Sequence, residues 1–531
     1  MSFNALRLFI RRYALLFLLL SLTVWTRYLM LKDGVIPFSF DHGKDSLAIM
    51  DMWLNQSPKL IGPWTSIPGL FFGPAWYYLL LPFYVLFAGS PLGAVWAMVA
   101  LVLLQIVLAY KLLGRLEAIL ITGSAFFMTI STSAWNPFPM ALLSLVILII
   151  LKQLAFGKQL GFGRAFVLAS AAALGFHFST AFALLYPILI GLSLWRRRVT
   201  WNWRNLLGLG LGFAWPFAPQ IVFELRHDFV ESRAILNYLL HGEASSWSLD
   251  KLAIVFSTLV QEIKHFIVPN LTFPKLFTTV VAQVLLALLF GKILLHWHRR
   301  TLLERRPFYA YLSMPFEYGL WIILPLLYFS LLHFNVWYLY ALAPLFIMIL
   351  ADVLRIVPKR LAIWLLLIFL AAPLVKVNYF VHREKIELRN DPRFLPKQLE
   401  IIADLRRRSQ GEAFSVYHYV NDVYDFSYQY LYFYQALQGQ KLPVEFSYRV
   451  ATDDYVVQKP QLLSYFRNHQ PAVFFDTNEP NYYFYLTERP VMQRLLDEWW
   501  TRVPRREEFL LDHHGYTQNL VLSYEIMDAN E

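Results

Sequence analysis

The chain contains no cysteine. Disulfides, thiolate metal sites and cysteine nucleophiles are therefore excluded. The compartment is not, because an extracytoplasmic domain can do without disulfides. Charge is also scarce: 16% of the 531 residues are Asp, Glu, Lys or Arg, against about 25% in soluble domains. A string of ordinary soluble domains does not fit. HExxH is absent, and no serine stands in a nucleophile-elbow context. No Gly-rich phosphate loop is present: GLGLGFAW at 208–215 lies inside an apolar stretch with no strand before it. There is no fixed-period repeat and no low-complexity tract.

What remains is apolar and blocky. Hydrophobic residues make up 57% of the chain, and several stretches approach the ~20 residues that cross a bilayer. This pattern is that of a polytopic α-helical membrane protein. Disorder, a collagen-like chain and a small secreted disulfide scaffold are excluded. The 47 basic residues outnumber the 36 acidic ones. They gather between apolar segments, as cytoplasmic loops require, so the excess points to topology rather than to nucleic acid. Aromatics, at 17%, supply interfacial belts.

The charge pattern sets a path. Ala14–Leu31 follows Arg7, Arg11 and Arg12, is too long for a signal-peptide core, and reads as a retained span with a cytoplasmic N-terminus. Arg27, near its far end, is placed to snorkel outward. Residues 32–91 form a first outer loop. Within it, GPAWYYLLLPFYVLFA (73–88) is broken by Pro82, and reading it as an interfacial helix keeps Lys111 and Arg115 inside. Further spans are expected at 92–110, 118–129, 141–154, 165–175, 181–195, 206–223, 276–295, 318–332, 338–354 and 361–377. That makes about eleven spans, with a second long outer loop at 224–275. Residues 1–379 then form a membrane module, and 380–531 an extracytoplasmic α/β domain. In that domain Leu395–Arg408, Tyr424–Leu437 and Val491–Trp500 read as helices. Phe414–His418, Ala472–Asp476 and Leu520–Ile526 read as strands.

Polar groups at the outer surface carry the functional reading. Asp41 is placed to cap a helix running to about Asn55, and helical spacing sets Asp41 and Asp45 on one face. Two neighbouring carboxylates can hold a shared proton, giving a base, or share a cation; the blander reading is a cap and a solvated acid. Glu224, Arg226, His227 and Asp228 directly follow an apolar span. Arg226 and His227 suit a phosphate at headgroup level, against ordinary snorkelling. Arg233, Lys264 and His265 in the same loop are further phosphate candidates. His177 sits in an outer turn, and Trp135-Asn136 form another; with Glu224 these are the candidate cavity-lining residues.

The order of these features resembles bacterial integral-membrane glycosyltransferases of the GT-C fold. It covers Asp41 after the first span, the interfacial GPAWYYLLLPFYVLFAG, Trp135-Asn136-Pro137, His177 between paired helices and FELRHDF at 223–229. The subgroup is the one related to protein mannosyltransferases and lipid A aminoarabinose transferases (glycosyltransferase family 39-like), over roughly residues 10–350. The resemblance implies a polyprenyl-phosphate-linked sugar donor, an acceptor that is lipid, glycan or protein, and a multi-pass place in a bacterial inner membrane. It implies Asp41 as the loop-one acid, acting as base or orienting the acceptor. Many relatives carry an acidic residue in the second outer loop where this chain has Asn136. That weakens the case for the one cofactor considered, a divalent cation. The competing reading is a transporter or flippase for a lipid-linked saccharide. Transporters place polar groups at the bilayer midplane within repeated halves, whereas here the polar groups gather at one outer face.

Overall fold

A computed structural model describes residues 3–241, 248–269, 313–419, 425–446, 455, 457, 459–476, 481–486, 510–512 and 520–524. The expected span 276–295 and the expected helix Val491–Trp500 lie outside the described residues. The chain forms two compact units. One contains Met1–Met30, Leu60–Trp76 and Val95–His382; the other contains Leu31–Lys59, Tyr77–Ala94 and Arg383–Glu531. The second unit begins its long run where the composition turns polar. It also takes the first-loop helix, which composition alone assigns to the membrane module.

The first unit is helical. Arg12–Leu31, Leu92–Leu112, Trp203–Arg226, Val336–Ile356 and Lys359–Arg389 are long and apolar enough to cross a bilayer. Met140–Ala155, Phe162–His177, Thr180–Arg196 and Pro315–Leu331 are shorter apolar helices. The expected span 118–129 is broken at Ser124 into Arg115–Gly123 and Ala125–Thr129, and the Ser124 hydroxyl donates to the Phe266 carbonyl at 2.8 Å. The glycines at 208–215 have a packing role. A Cβ on Gly208 or Gly212 would stand 2.7 or 2.3 Å from the Phe162 or Phe166 carbonyl oxygen. These small residues, four apart, let Trp203–Ala214 lie against Phe162–Leu174. The segment expected to be a second long loop contains the helices Val230–His241 and Leu249–Ile267.

Arg27 does not snorkel. It is fully buried, with Nε donating to Ser131 Oγ at 2.9 Å and Nη1 to Thr26 Oγ1 at 3.0 Å. A guanidinium inside a helix bundle must find acceptors there, and one of them, Ser131, lies 104 residues away in sequence. A second ionic group joins the ends of several helices. Buried Glu117 accepts from Arg355 at 2.6 Å and from Lys152 at 3.4 Å. Arg355 also pairs with Asp352 at 2.6 Å, and Asp352 accepts from the Ser313 amide and hydroxyl and from the Tyr318 hydroxyl.

The second unit contains a mixed sheet of β1 (Phe414–Tyr419), β2 (Asn481–Leu486), β3 (Leu510–Asp512) and β4 (Leu520–Tyr524), in the order β1-β2-β4-β3. β1 and β2 are parallel, with Phe414 opposite Asn481; the other pairs are antiparallel. Helices Leu395–Arg408, Phe426–Leu437 and Lys459–His469 accompany it. The strand expected at Ala472–Asp476 does not form: Pro471 starts a 3-10 turn over Pro471–Val473, because proline fixes φ and removes a ladder donor. The first-loop helix, Phe40–Leu54, lies directly on Phe426–Leu437. A Cβ on Gly43 would meet the Phe426 carbonyl carbon and the Ser427 nitrogen at 2.3 Å, so only glycine permits this approach. Upstream, Phe38 donates to the Arg393 carbonyl and Leu395 to the Ile36 carbonyl, at 2.9 and 3.0 Å. The helix Ala75–Leu86 has 12 residues. At a rise of 1.5 Å per residue it spans about 18 Å, short of the ~30 Å hydrocarbon core.

Candidate functional site

The carboxylate pair stands on the first-loop helix. Its N-cap is Ser39 rather than Asp41. The Ser39 amide donates to His42 Nδ1 at 3.1 Å, and its hydroxyl lies 2.9 Å from the same nitrogen. A local serine–imidazole pair thus satisfies the helix start and leaves Asp41 in the first turn with its side chain 40% exposed. The buried Lys44 ammonium reaches Asp41 Oδ1 at 3.1 Å. This ammonium is the local compensating charge, and a divalent cation on Asp41 would have to displace it. Among the described residues no three His, Asp or Glu side chains gather as metal ligands. Tyr77 is a residue that sequence reasoning missed. Burial raises its phenol well above the ordinary value, and the charges of Asp45 and then Asp41 raise it further. Its hydroxyl therefore stays protonated, a donor in the field of both carboxylates. Within GPAWYY it is indistinguishable from a belt aromatic. Ser46 and Tyr84, 2.5 Å apart, brace the next turn of the helix.

In the membrane unit, a second constellation surrounds His177. Residues 62–72 form a small hairpin: Gly62 donates to the Phe72 carbonyl at 2.7 Å, and Phe72 to the Pro63 carbonyl at 2.8 Å. His177 lies against its end. His177 Nδ1 accepts the Ala75 amide at 3.2 Å, which leaves the ring proton on Nε2. A Cβ on Gly73 would stand 2.1 Å from His177 Nδ1, and one on Gly62 would stand 2.3 Å from the Gly73 carbonyl oxygen. Burial lowers the His177 pKa to about 4. The imidazole is thus neutral near pH 7 and supplies position, not charge. Asn136 donates to the Phe178 carbonyl at 3.1 Å, and Trp76 packs edge-on against Phe178. Trp135 makes an edge contact with Trp337, with centroids 5.1 Å apart. The outer turns expected at Trp135-Asn136 and at His177 are therefore one packed cluster.

The residues at 224–233 divide between structure and solvent. Glu224 caps the helix Val230–His241, accepting from the Glu231 amide at 2.7 Å and the Ser232 amide at 2.9 Å. His227 turns back onto Phe223, its Nδ1 2.8 Å from that carbonyl and its ring stacked at 4.2 Å. Arg226 and Arg233 are exposed. Lys264 and His265 belong to a different helix, where His265 Nε2 is 3.4 Å from the Thr129 hydroxyl. The five phosphate candidates thus fall on three elements.

Glu231 is the other residue that sequence reasoning missed. Its carboxylate accepts from the Phe71 amide at 3.1 Å and from Gln220 at 3.4 Å, and the aromatic pair Phe71 and Phe223 packs beside it with Ile61 and Val230. Burial raises its pKa to about 7, and the Glu224 charge adds to this. A raised acid favours the folded, protonated form. The contribution to hairpin docking is complete below the ordinary value near pH 4.5 and is lost as pH rises through about 7. Its size is on the order of 1–3 kcal/mol. Amide exchange at 62–73, corrected for intrinsic rates, is expected to accelerate between pH 5.5 and 8 in the parent and to stay flat in Glu231→Gln. Equal pH dependence in both proteins would contradict this.

No family model matches the chain, and no curated protein matches it. Two solved structures share its fold. ArnT from Cupriavidus metallidurans, in a crystal structure bound to undecaprenyl phosphate, aligns over 96% of this chain and 98% of its own, with a TM-score of 0.54 and 11% identity. The apo state of that protein aligns over 95% and 97%, with a TM-score of 0.57 and 10% identity. The chain therefore shares the fold of these two structures, a polytopic helical membrane architecture.

Proposed function

We propose, from a GT-C fold shared along nearly the whole chain, that this protein is a membrane glycosyltransferase. It moves a sugar from a polyprenyl-phosphate donor to an extracytoplasmic acceptor. The carrying observation is the likeness to a transferase structure bound to undecaprenyl phosphate over 96% of this chain. The chemistry asks for three things. A base must take the acceptor hydroxyl proton, a cation must stabilise the departing phosphate, and apolar helices must hold the prenyl chain. Asp41 is the proposed base: its side chain is 40% exposed and is set on a braced helix. A single carboxylate supports direct displacement with inversion, because no covalent sugar intermediate is needed. The proposed place is a bacterial inner membrane. The test is transfer, or failing a known acceptor donor hydrolysis, by purified protein in lipid nanodiscs supplied with a synthetic prenyl-phosphate sugar. No turnover and no donor binding across a panel of sugars would reject the reading.

Arg226 is the proposed phosphate contact, because it is exposed and no carboxylate pairs with it among the described residues. Arg226→Ala is expected to weaken donor binding by on the order of 1.5–3 kcal/mol, the range for a charge-assisted hydrogen bond. Unchanged donor affinity would move the phosphate to Arg233 or to Lys264 and His265.

The proposed topology has a cytoplasmic N-terminus and residues 380–531 outside, from the Lys/Arg asymmetry. With no native cysteine, a single cysteine introduced at the exposed Ala403 is expected to react with an impermeant maleimide on intact spheroplasts. Reaction only after lysis would invert the topology.

A further inference from the structure

The membrane unit holds a second polar site that sugar transfer does not use. A cavity of about 570 Å³ opens where the helices Leu92–Leu112, Met140–Ala155 and Ala343–Ile356 end. Its described lining carries four cations, Lys111, Lys152, Lys158 and Arg355, against one carboxylate, Asp352. The acidic groups there are already engaged. Glu117, behind the wall, accepts from Arg355 and Lys152, and Asp352 is held by Arg355, Ser313 and Tyr318. Lys111 and Lys158 are exposed and have no ion-pair partner among the described residues. Basic residues at helix ends do favour the local dipole, which accounts for each cation singly. It does not account for four of them facing one concave space, where their mutual repulsion calls for a counter-ion. The rim is also apolar: Leu112 is 47% and Phe156 is 70% exposed. A soluble anion gains nothing from such a rim, whereas an acyl chain does.

We propose that this cavity binds the phosphate headgroup of an anionic membrane lipid, with Lys111 and Lys158 as its direct contacts and Arg355 and Lys152 held in place by Glu117. The lipid chains run past Leu112 and Phe156. The loops around the cavity are among the basic loops expected on the cytoplasmic side, where anionic headgroups attract such clusters. The Glu117–Arg355–Asp352 network also gives the cavity a fixed wall, so the site exists before the lipid arrives.

The experiment uses the full chain, delipidated in detergent and then exposed to phosphatidylglycerol, phosphatidylcholine or inorganic phosphate, with bound lipid counted by native mass spectrometry. The comparison protein is the double variant Lys111→Gln with Lys158→Gln. Both side chains are exposed and lack described partners, so thermal unfolding in phosphatidylcholine is expected to be unchanged and serves as the folding check. The parent is expected to retain phosphatidylglycerol over phosphatidylcholine, and the double variant to lose affinity for it by about thirtyfold, from the attraction each lysine adds near an anionic surface. Equal retention by parent and variant would overturn the site. Inorganic phosphate displacing phosphatidylglycerol at millimolar concentration would overturn the lipid assignment and point to a soluble anion. A parallel loss in Leu112→Ser with Phe156→Ser would support the acyl-chain path.

Discussion

Asp41→Asn is expected to abolish sugar transfer while leaving the fold and donor binding close to those of the parent. The cap of its helix belongs to Ser39 and His42, so the substitution removes no capping bond. What it removes is the 3.1 Å pairing with Lys44 and the capacity to take a proton. Asp41 is 40% exposed but its Lys44 partner is buried, so the fold is kept because the asparagine Oδ1 can still accept from that ammonium. Asparagine keeps the shape and an acceptor oxygen but cannot accept the acceptor's proton. General-base removal of this kind typically lowers the rate by about 10²–10⁴. Asp45→Asn is the control. It lies one turn further along the same helix and shares with Asp41 the field at Tyr77, so a modest rate loss is expected. Near-normal turnover in Asp41→Asn with a dead Asp45→Asn would reverse the assignment. Full activity in both would take the base off this helix and assign it to another residue.

The limits of legibility follow from where each partner lies in the sequence. Leu395–Arg408 is readable end to end because its apolar positions repeat with helical period and Pro396 is tolerated in the first turn. The first-loop helix is readable for the same reason, including its end at Asn55. Its start is not, because Ser39 and Asp41 are both fit to cap and only the reach of His42 decides between them. Arg27 and Glu231 fail differently. Each looks like a surface charge, and each is buried by a segment more than 100 residues away: Ser131 for one and the Phe71 amide for the other. The glycines at 208 and 212 read in isolation only as small residues inside an apolar stretch. Their meaning, contact with the Phe162 and Phe166 backbone, exists only after the helices pair.

Gly73→Ala is expected to be the most damaging of the small substitutions, and its cause is geometric. An added Cβ would stand 2.1, 2.3 and 2.4 Å from three atoms of the His177 ring. A flexible side-chain end could swing away, but this ring is buried and held by the Ala75 amide. The hairpin or the start of Ala75–Leu86 must move instead. Overpacking of this sort typically costs about 1–3 kcal/mol. The displaced segment includes Phe71, whose amide satisfies Glu231, so the loss should spread to that contact. Turnover is expected to fall by about 10–100-fold, in line with misplacement of a positioning element away from the chemistry. Gly163→Ala is the control: nothing lies within 4 Å of its Cβ position, and alanine is the better helix former there. His177→Ala removes the ring that the new methyl strikes. If the collision is the cause, His177→Ala combined with Gly73→Ala should recover thermal stability relative to Gly73→Ala alone, a positive coupling of the kind seen between residues in contact. Additive losses in that double variant, or a Gly73→Ala protein with parental melting and turnover, would show that the hairpin does not hold the histidine in the way the distances require.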